Sequence, residues 1–435
     1  YYILFLKMFK NFKNKHVYIS TILYLLTFYY AYTDFLSPSF DYIGFEYNDK
    51  GFFEVLFAFL IVFIPCLFYK EGKISSFIAI FIYVLLYIPI IFCFTFIPKE
   101  ITFNNYEVQF SIFIGMNLLF IVERFKIQNT IRLNSLLFSP RFILFLTFLF
   151  SGLIMVIFRD NLKIVSFEDV YDLRENSTKV SGNNIFIDYI SLWMLNFFMP
   201  ACYAYGILYK KKIYIIAGSL IAVVLYAAVA AKIAILFPLV YLFFAYLNRK
   251  DKLKNFYTLL VYSISGLIIF SITLLNIFPK NANIFMLNSV LLARTVANGG
   301  MLTYWYFQFF QDHPYTYYSH INIVNAITHT YPYDDSLGNV VGGNFWAVKM
   351  NANANLWATD GIAAAGVMGI LFVNLILSYV LYILNYATAN NNKLFVILLF
   401  LPFISMFLNT SIFTSLLSGG VFLSVLFLLN LKKNI

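Results

Sequence analysis

The chain has 435 residues, of which 61% are hydrophobic, 21% are aromatic and only 11% are charged. A soluble domain carries about 25% charged residues, so this composition excludes an ordinary soluble globular protein. The formal net charge is +10. The cations lie in short loops between apolar runs, a pattern that reflects membrane topology and argues against nucleic acid as a partner.

Twelve apolar runs are long enough to cross a hydrocarbon core of roughly 30 Å. In chain order they lie at 17–35, 51–69, 76–97, 106–122, 141–159, 186–209, 213–230, 233–247, 256–278, 356–384, 394–411 and 413–430. The sequence therefore predicts an all-α, polytopic membrane protein with about twelve transmembrane helices. We expect one transmembrane domain over residues 1–435.

The apolar stretch 213–247 is too long for a single crossing, and lysine clusters flank it on both sides. It must therefore cross and return, with a turn near its middle in YAAVAAKIAIL. This turn leaves Lys232 at the membrane boundary. Two interpretations stay open: the ammonium group reaches lipid headgroups, or it faces a lipid phosphate.

The distribution of charge predicts the orientation, because Lys and Arg in short loops stay on the cytoplasmic side. Alternate loops, counted from the N-terminus, hold 20 of the 30 Lys and Arg residues but only three acidic residues. The net charge is thus +17 on one side and −7 on the other. Both termini should be cytoplasmic, and two ordered segments, 160–185 and 280–355, should lie outside.

The segment 280–355 contains three of the four histidines, His313, His320 and His329. A neutral imidazole can take a proton from a hydroxyl near neutral pH. His313 ends an aromatic helix, where capping explains it equally well, whereas His320 has no such explanation and is the candidate base. Asp360 at the start of the next span is the alternative base, although the helix dipole alone stabilises a carboxylate there.

Three cations at the outer interface could hold an anionic ligand, and guanidinium groups bind phosphate in a bidentate manner. They are Arg174, Lys232 and Arg294. The alternative for each arginine is a salt bridge to a local acid. No zinc-like or calcium-like spacing occurs outside the membrane, so we expect neither a metal nor a cofactor. The glycine-rich GNVVGGN at 338–344 predicts a mobile turn.

Three separated segments together resemble the Wzy-type O-antigen polymerases, the bacterial oligosaccharide repeat-unit polymerases. They are DVYDLRENS, ARTVANGGMLTYWYFQFFQDHPYTYYSH and NANANLWATDGIAAAGVMGIL, in the order expected for that family. The related O-antigen ligases typically carry a histidine-asparagine pair before the late span. This chain has only Asn and Ala at 353–355, which favours a polymerase over a ligase.

The resemblance implies a metal-independent C-type glycosyltransferase of the bacterial inner membrane that acts in lipopolysaccharide or related polysaccharide biosynthesis. Its donor and acceptor would be glycans linked to undecaprenyl diphosphate, and a chain-length regulator is a further partner. An O-antigen ligase-like transferase and a lipid-linked oligosaccharide flippase are the alternatives.

The resemblance also assigns roles to the candidate residues. His320 or Asp360 would be the catalytic base, and Arg174, Lys232 and Arg294 would bind the diphosphate. The sugar would contact Tyr304, Trp305 and His313, although packing at the membrane interface is the alternative for the aromatic side chains.

Overall fold

The computed structural model describes residues 15–127, 139–165, 173, 176–177, 179–180, 184–346 and 350–431. Within these ranges the chain forms helices and turns, and no β-strand is present. The predicted all-α class is confirmed.

In the described part of the chain, nine long helices precede the segment that holds most of the histidines. They are α1 (Lys15–Ala31), α2 (Phe52–Phe63), α3 (Ile74–Phe96), α4 (Phe103–Ile121), α5 (Pro140–Ile157), α6 (Ile185–Tyr209), α7 (Lys212–Val229), α8 (Lys232–Arg249) and α9 (Phe256–Ile277). Eight helices follow. They are α10 (Ala282–Asn288), α11 (Asn298–Asp312), α12 (Asn322–Thr328), α13 (Leu337–Phe345), α14 (Ala363–Thr388), α15 (Lys393–Asn409), α16 (Ile412–Leu416) and α17 (Val421–Asn430). Two π-helical segments, Ser289–Ala297 and Trp357–Ile362, lead into α11 and α14.

Each of the twelve predicted apolar runs falls on a helix. Nine helical stretches in the described part of the chain are long and apolar enough to cross a membrane, so the protein is membrane-embedded. The other three runs fall on shorter helices, Lys15–Ala31, Phe52–Phe68 and Lys393–Asn409. Crossing by these three helices, and therefore the number twelve, stays a prediction.

The stretch 213–247 forms two helices, as predicted. α7 ends at Val229 and α8 begins at Lys232. Ala230 between them has φ of +54°, which turns the chain. The two helices pack against each other.

The chain divides into two compact units. Unit 1 consists of Tyr1–Phe125 and Lys254–Val380, and unit 2 of Lys126–Leu253 and Leu381–Ile435. In unit 1, α1 packs against α9 and α3 packs against α11. In unit 2, α6 packs against α7 and α15.

A buried tyrosine in unit 1 satisfies a backbone carbonyl that a proline leaves without a donor. Pro65 has no N–H to give to the carbonyl of Ile61, four residues earlier. The hydroxyl of Tyr87 donates to that oxygen at 2.7 Å. An unpaired carbonyl in a membrane-embedded core costs several kcal/mol. The hydrogen bond from Tyr87 therefore stabilises the packing of α2 against α3.

The predicted run 356–384 is broken near its start. Ala365 (φ −161°, ψ 32°) and Gly366 (φ +59°, ψ −135°) are not helical. A Cβ on Gly369 would overlap the carbonyl oxygen of Gly361, yet a straight helix separates residues eight apart by about 12 Å. Residues 357–364 therefore fold back on the helix that starts at 367, and the small residues of this run pack against each other.

The prediction of a mobile turn at 338–344 is wrong, because these residues lie in α13. The carbonyl of Gly338 accepts a hydrogen bond from the N–H of Ala352 at 2.9 Å. A Cβ on Gly342 would overlap the carbonyl of Met350. Gly338 and Gly342 therefore allow the close approach of residues 350–353 rather than a turn.

Candidate functional site

The structure brings the two candidate bases into direct contact in unit 1. Nε2 of His320 lies 3.1 Å from Oδ1 of Asp360. The side chain of His320 is 7% exposed and that of Asp360 is 0% exposed. Because the pair is screened from solvent, its hydrogen bond is stronger than a surface ion pair. The catalytic roles of both residues stay predictions.

A cap and a buried hydrogen-bond network fix the helical segment that carries Asp360. Oδ1 of Asn355 accepts hydrogen bonds from the backbone N–H of Trp357 at 3.0 Å and of Ala358 at 3.3 Å. Its Nδ2 donates to Oγ1 of Thr303 on α11 at 2.8 Å. Such a cap satisfies N–H groups that the first turn of a helix leaves unpaired. Asn355 thus fastens the Asp360 segment to α11.

The loop after α11 positions His320 by binding the other end of the same segment. The N–H of Thr316 donates to the carbonyl of Ala363 at 2.8 Å, and the N–H of Tyr317 donates to that of Ala364 at 3.0 Å. Tyr317 and Tyr318 both have positive φ, 45° and 67°. This conformation costs a non-glycine residue roughly 1–2 kcal/mol, and such strain often occurs at functional sites.

The hydroxyl of Thr316 contacts both His320 and the segment that carries Asp360. Its Oγ1 lies 2.8 Å from Nδ1 of His320 and 3.1 Å from the carbonyl oxygen of Ala363. One hydroxyl proton cannot serve both acceptors. When the proton is donated to the carbonyl of Ala363, Nδ1–H of His320 donates to Oγ1 of Thr316. When it is donated to Nδ1 instead, Nε2–H of His320 faces Asp360. Nδ1 is then the nitrogen that can accept a proton.

The side chain of Tyr318 and a cavity lie near the pair of His320 and Asp360. Burial, and to a lesser degree the charge of Asp360, raise the pKa of Tyr318 to about 12. Its hydroxyl therefore stays protonated at neutral pH. A cavity of about 530 Å³ adjoins the helix break, and Glu107, Asp312, Tyr315 and Gly366 contribute to its wall. Water and polar ligands can thus approach the break at Ala365 and Gly366.

The structure places two of the three predicted diphosphate ligands and leaves their role open. Arg294 is exposed on the segment Ser289–Ala297, and within the described ranges it makes no hydrogen bond or salt bridge. Lys232, in unit 2, is the first residue of α8 and is partly buried. Arg174 lies outside the described residues, so its prediction is untested.

The three predicted sugar ligands lie on or just after α11. Tyr304 and Trp305 line a polar cavity of about 510 Å³. The ring of His313 instead stacks on Phe309, with centroids 3.8 Å apart, and its Nδ1 lies 2.8 Å from the carbonyl oxygen of Phe309. That geometry matches the capping alternative for His313, and its sugar-binding role stays a prediction.

Sequence reasoning missed Asn355 and Thr316. An asparagine just before a helical segment is a recognised start signal, so Asn355 could have been found as a cap. Nothing local marks Thr316, because its importance comes from Ala363 and His320 meeting at its hydroxyl.

Comparisons with protein-family models, with curated proteins and with solved structures give no match. The likeness to the repeat-unit polymerases therefore rests on the three sequence segments. Within the described residues, no group of three or more His, Cys, Asp or Glu side chains could hold a metal ion.

Proposed function

We propose that this protein is a membrane glycosyltransferase that polymerises oligosaccharide repeat units linked to undecaprenyl diphosphate. The reaction would occur at the periplasmic face of a bacterial inner membrane, with both termini in the cytoplasm. The buried pair of His320 and Asp360 is the observation that carries the proposal. Both residues belong to the segments on which the family resemblance rests.

The proposed reaction is the attack of an acceptor sugar hydroxyl on the anomeric carbon of the donor. A new glycosidic C–O bond forms while the C–O bond to the lipid diphosphate breaks, and the diphosphate leaves with the bonding electron pair. His320 accepts the hydroxyl proton at Nδ1, and Asp360 stabilises the resulting imidazolium. The acceptor hydroxyl takes the place of the Thr316 hydroxyl that contacts Nδ1. General-base assistance of this kind accelerates a reaction by about 10²–10⁴-fold.

Fixed cations are needed because negative charge develops on the leaving diphosphate. Arg174, Lys232 and Arg294 are proposed for this role, without a metal ion. The lack of any ion-pair partner for Arg294 in the described part of the chain supports its share of the proposal, because an exposed guanidinium group is free to bind a phosphate.

Deleting the gene and analysing the surface glycan by mass spectrometry tests the function. Loss of a polymerase leaves surface lipid that carries a single repeat unit, since flipping and ligation continue. Long polymer stranded on the carrier lipid would show a ligase, and single units trapped on the cytoplasmic side would show a flippase. Complementation with His329→Gln serves as the matched control, because His329 is exposed and should restore polymer, whereas Asp360→Asn should not.

A further inference from the structure

A second polar pocket in unit 1 lies between α11, the turn at 41–46 and the loop at 97–99. Its volume of about 510 Å³ falls within the range of roughly 300–1,000 Å³ that is typical of small-molecule sites. Asp41, Glu46 and Lys99 contribute charged groups to its wall, and Tyr304 and Trp305 contribute aromatic ones.

The indole of Trp305 provides a hydrogen-bond donor in this wall. The residue is 4% exposed, and its ring stacks on Phe345 with centroids 4.9 Å apart and an interplanar angle of 15°. Among the described residues its Nε1–H has no hydrogen-bond acceptor. This N–H lies in the wall of the pocket and can donate to an oxygen of a bound ligand.

Gly44 keeps the indole N–H uncovered. A Cβ at this position would lie 3.3 Å from Nε1 of Trp305 and 2.5 Å from the terminal methyl of Met301. The φ of Gly44 is +98°, a conformation that favours glycine. The turn at 41–46 therefore approaches the indole as bare backbone and leaves room for a ligand atom.

The polar groups of the pocket complement a sugar rather than a phosphate. Asp41 and Glu46 are exposed carboxylates that accept hydrogen bonds from hydroxyl groups. Burial raises the pKa of Tyr304 to about 12, so its hydroxyl stays protonated at neutral pH. Two carboxylates against the single ammonium of Lys99 disfavour an anionic ligand.

We propose that this pocket binds one pyranose ring of the glycan, uncharged or carrying an amino group. The indole N–H of Trp305 donates to a ring or hydroxyl oxygen, and Asp41 and Glu46 accept from hydroxyl or ammonium groups. The assignment to a sugar rests on the proposed function, because that function supplies a glycan as substrate.

Saturation-transfer NMR on the full chain in lipid nanodiscs tests the proposal. The probes are N-acetylglucosamine, galactose and glucosamine, with glucuronate as the anionic comparison. At least one of the first three should bind, and glucuronate should bind about tenfold more weakly. Trp305→Phe keeps the stacking on Phe345 but loses the N–H, and should weaken binding by about fivefold to tenfold.

Glu46→Gln should weaken binding similarly, whereas Glu100→Gln should leave it within about twofold. Glu100 is the matched control because it is an exposed carboxylate on the same loop as Lys99 but does not line the pocket. Binding of none of the probes, equal binding of glucuronate, or unchanged binding in Trp305→Phe would each overturn the proposal.

The binding measurement separates this pocket from the proposed function, because it requires no transfer reaction. Trp305-dependent binding together with unchanged glycan length after gene deletion would retain the pocket and reject the polymerase. Loss of polymer after deletion, with no binding of any probe, would retain the polymerase and reject the pocket.

Discussion

A double-mutant cycle on His320 and Asp360 tests whether the two side chains act as one catalytic unit. Asp360→Asn keeps the shape of the side chain and removes its charge. A hydrogen bond to a charged group contributes about 1.5–3 kcal/mol, and little screening reduces it here because the two side chains are only 7% and 0% exposed. We therefore expect Asp360→Asn to destabilise the protein by about 2 kcal/mol.

His320→Gln leaves a buried carboxylate without its imidazole, and breaking a buried pair in this way costs up to about 3–5 kcal/mol. The double variant has lost that charge as well, so its loss of stability should be at least about 1 kcal/mol smaller than the two single losses combined. The rate of repeat-unit addition should fall about 100-fold or more in each single variant. It should fall little further in the double variant, because the base is already removed.

The assay is the rate of polymer growth in membrane vesicles supplied with lipid-linked repeat units, normalised to protein amount, together with thermal unfolding in detergent. His329→Gln is the control and should retain full activity, since His329 is exposed. Independent effects of the two substitutions on both readouts would refute the idea of a functional pair. Normal activity in His320→Gln combined with an inactive Asp360→Asn would identify the carboxylate as the base.

Three further predictions concern other parts of the molecule. Arg294→Ala should slow transfer by about tenfold to a hundredfold, and Arg294→Lys should restore it only partly because the bidentate geometry is lost; full activity of the alanine variant at normal protein levels would exclude this role. Gly369→Ala should lower stability by about 1–3 kcal/mol in a thermal unfolding assay, because the new methyl group overlaps the carbonyl of Gly361. Gly266→Ala is the control and should not lower stability, because a Cβ there meets nothing within 4 Å. A cysteine at Asn283 should react with an impermeant maleimide in intact spheroplasts, and one at Lys252 should not. The native cysteines are buried and should not react. The reverse labelling pattern would mean that the orientation is inverted.

Much of the fold could be predicted from the sequence, because long apolar runs and the positions of lysines are local signals. The two helices within 213–247 were found in this way from the flanking cations. The break at Gly366 could not be found, since a run of glycine and alanine is compatible with one continuous helix. Only the contact between Gly361 and Gly369, which depends on the folded chain, shows that the helix turns back.

Two residues of the candidate site, His320 and Asp360, could be selected from the sequence, but their arrangement could not. His320 and Asp360 were selected from the chemistry of each side chain and its place relative to a span. Their contact at 3.1 Å joins residues 40 positions apart, and no periodicity encodes it. The glycines at 338–343 were interpreted as a turn because the sequence does not reveal that the backbone of Met350 and Ala352 packs against Gly338 and Gly342.

The short folded-back segment, residues 357–364, is held at one end by residues before position 321 and at the other by Asn355. Thr316 and Tyr317 bind its last carbonyls, and Asn355 caps its first turn. Residues 321–346 follow His320 in the chain, so changes in their length or composition need not disturb the contact between His320 and Asp360. Phe345, which supports the indole of Trp305, belongs to these residues. The wall of the Trp305 pocket can therefore vary while the contact between His320 and Asp360 is kept.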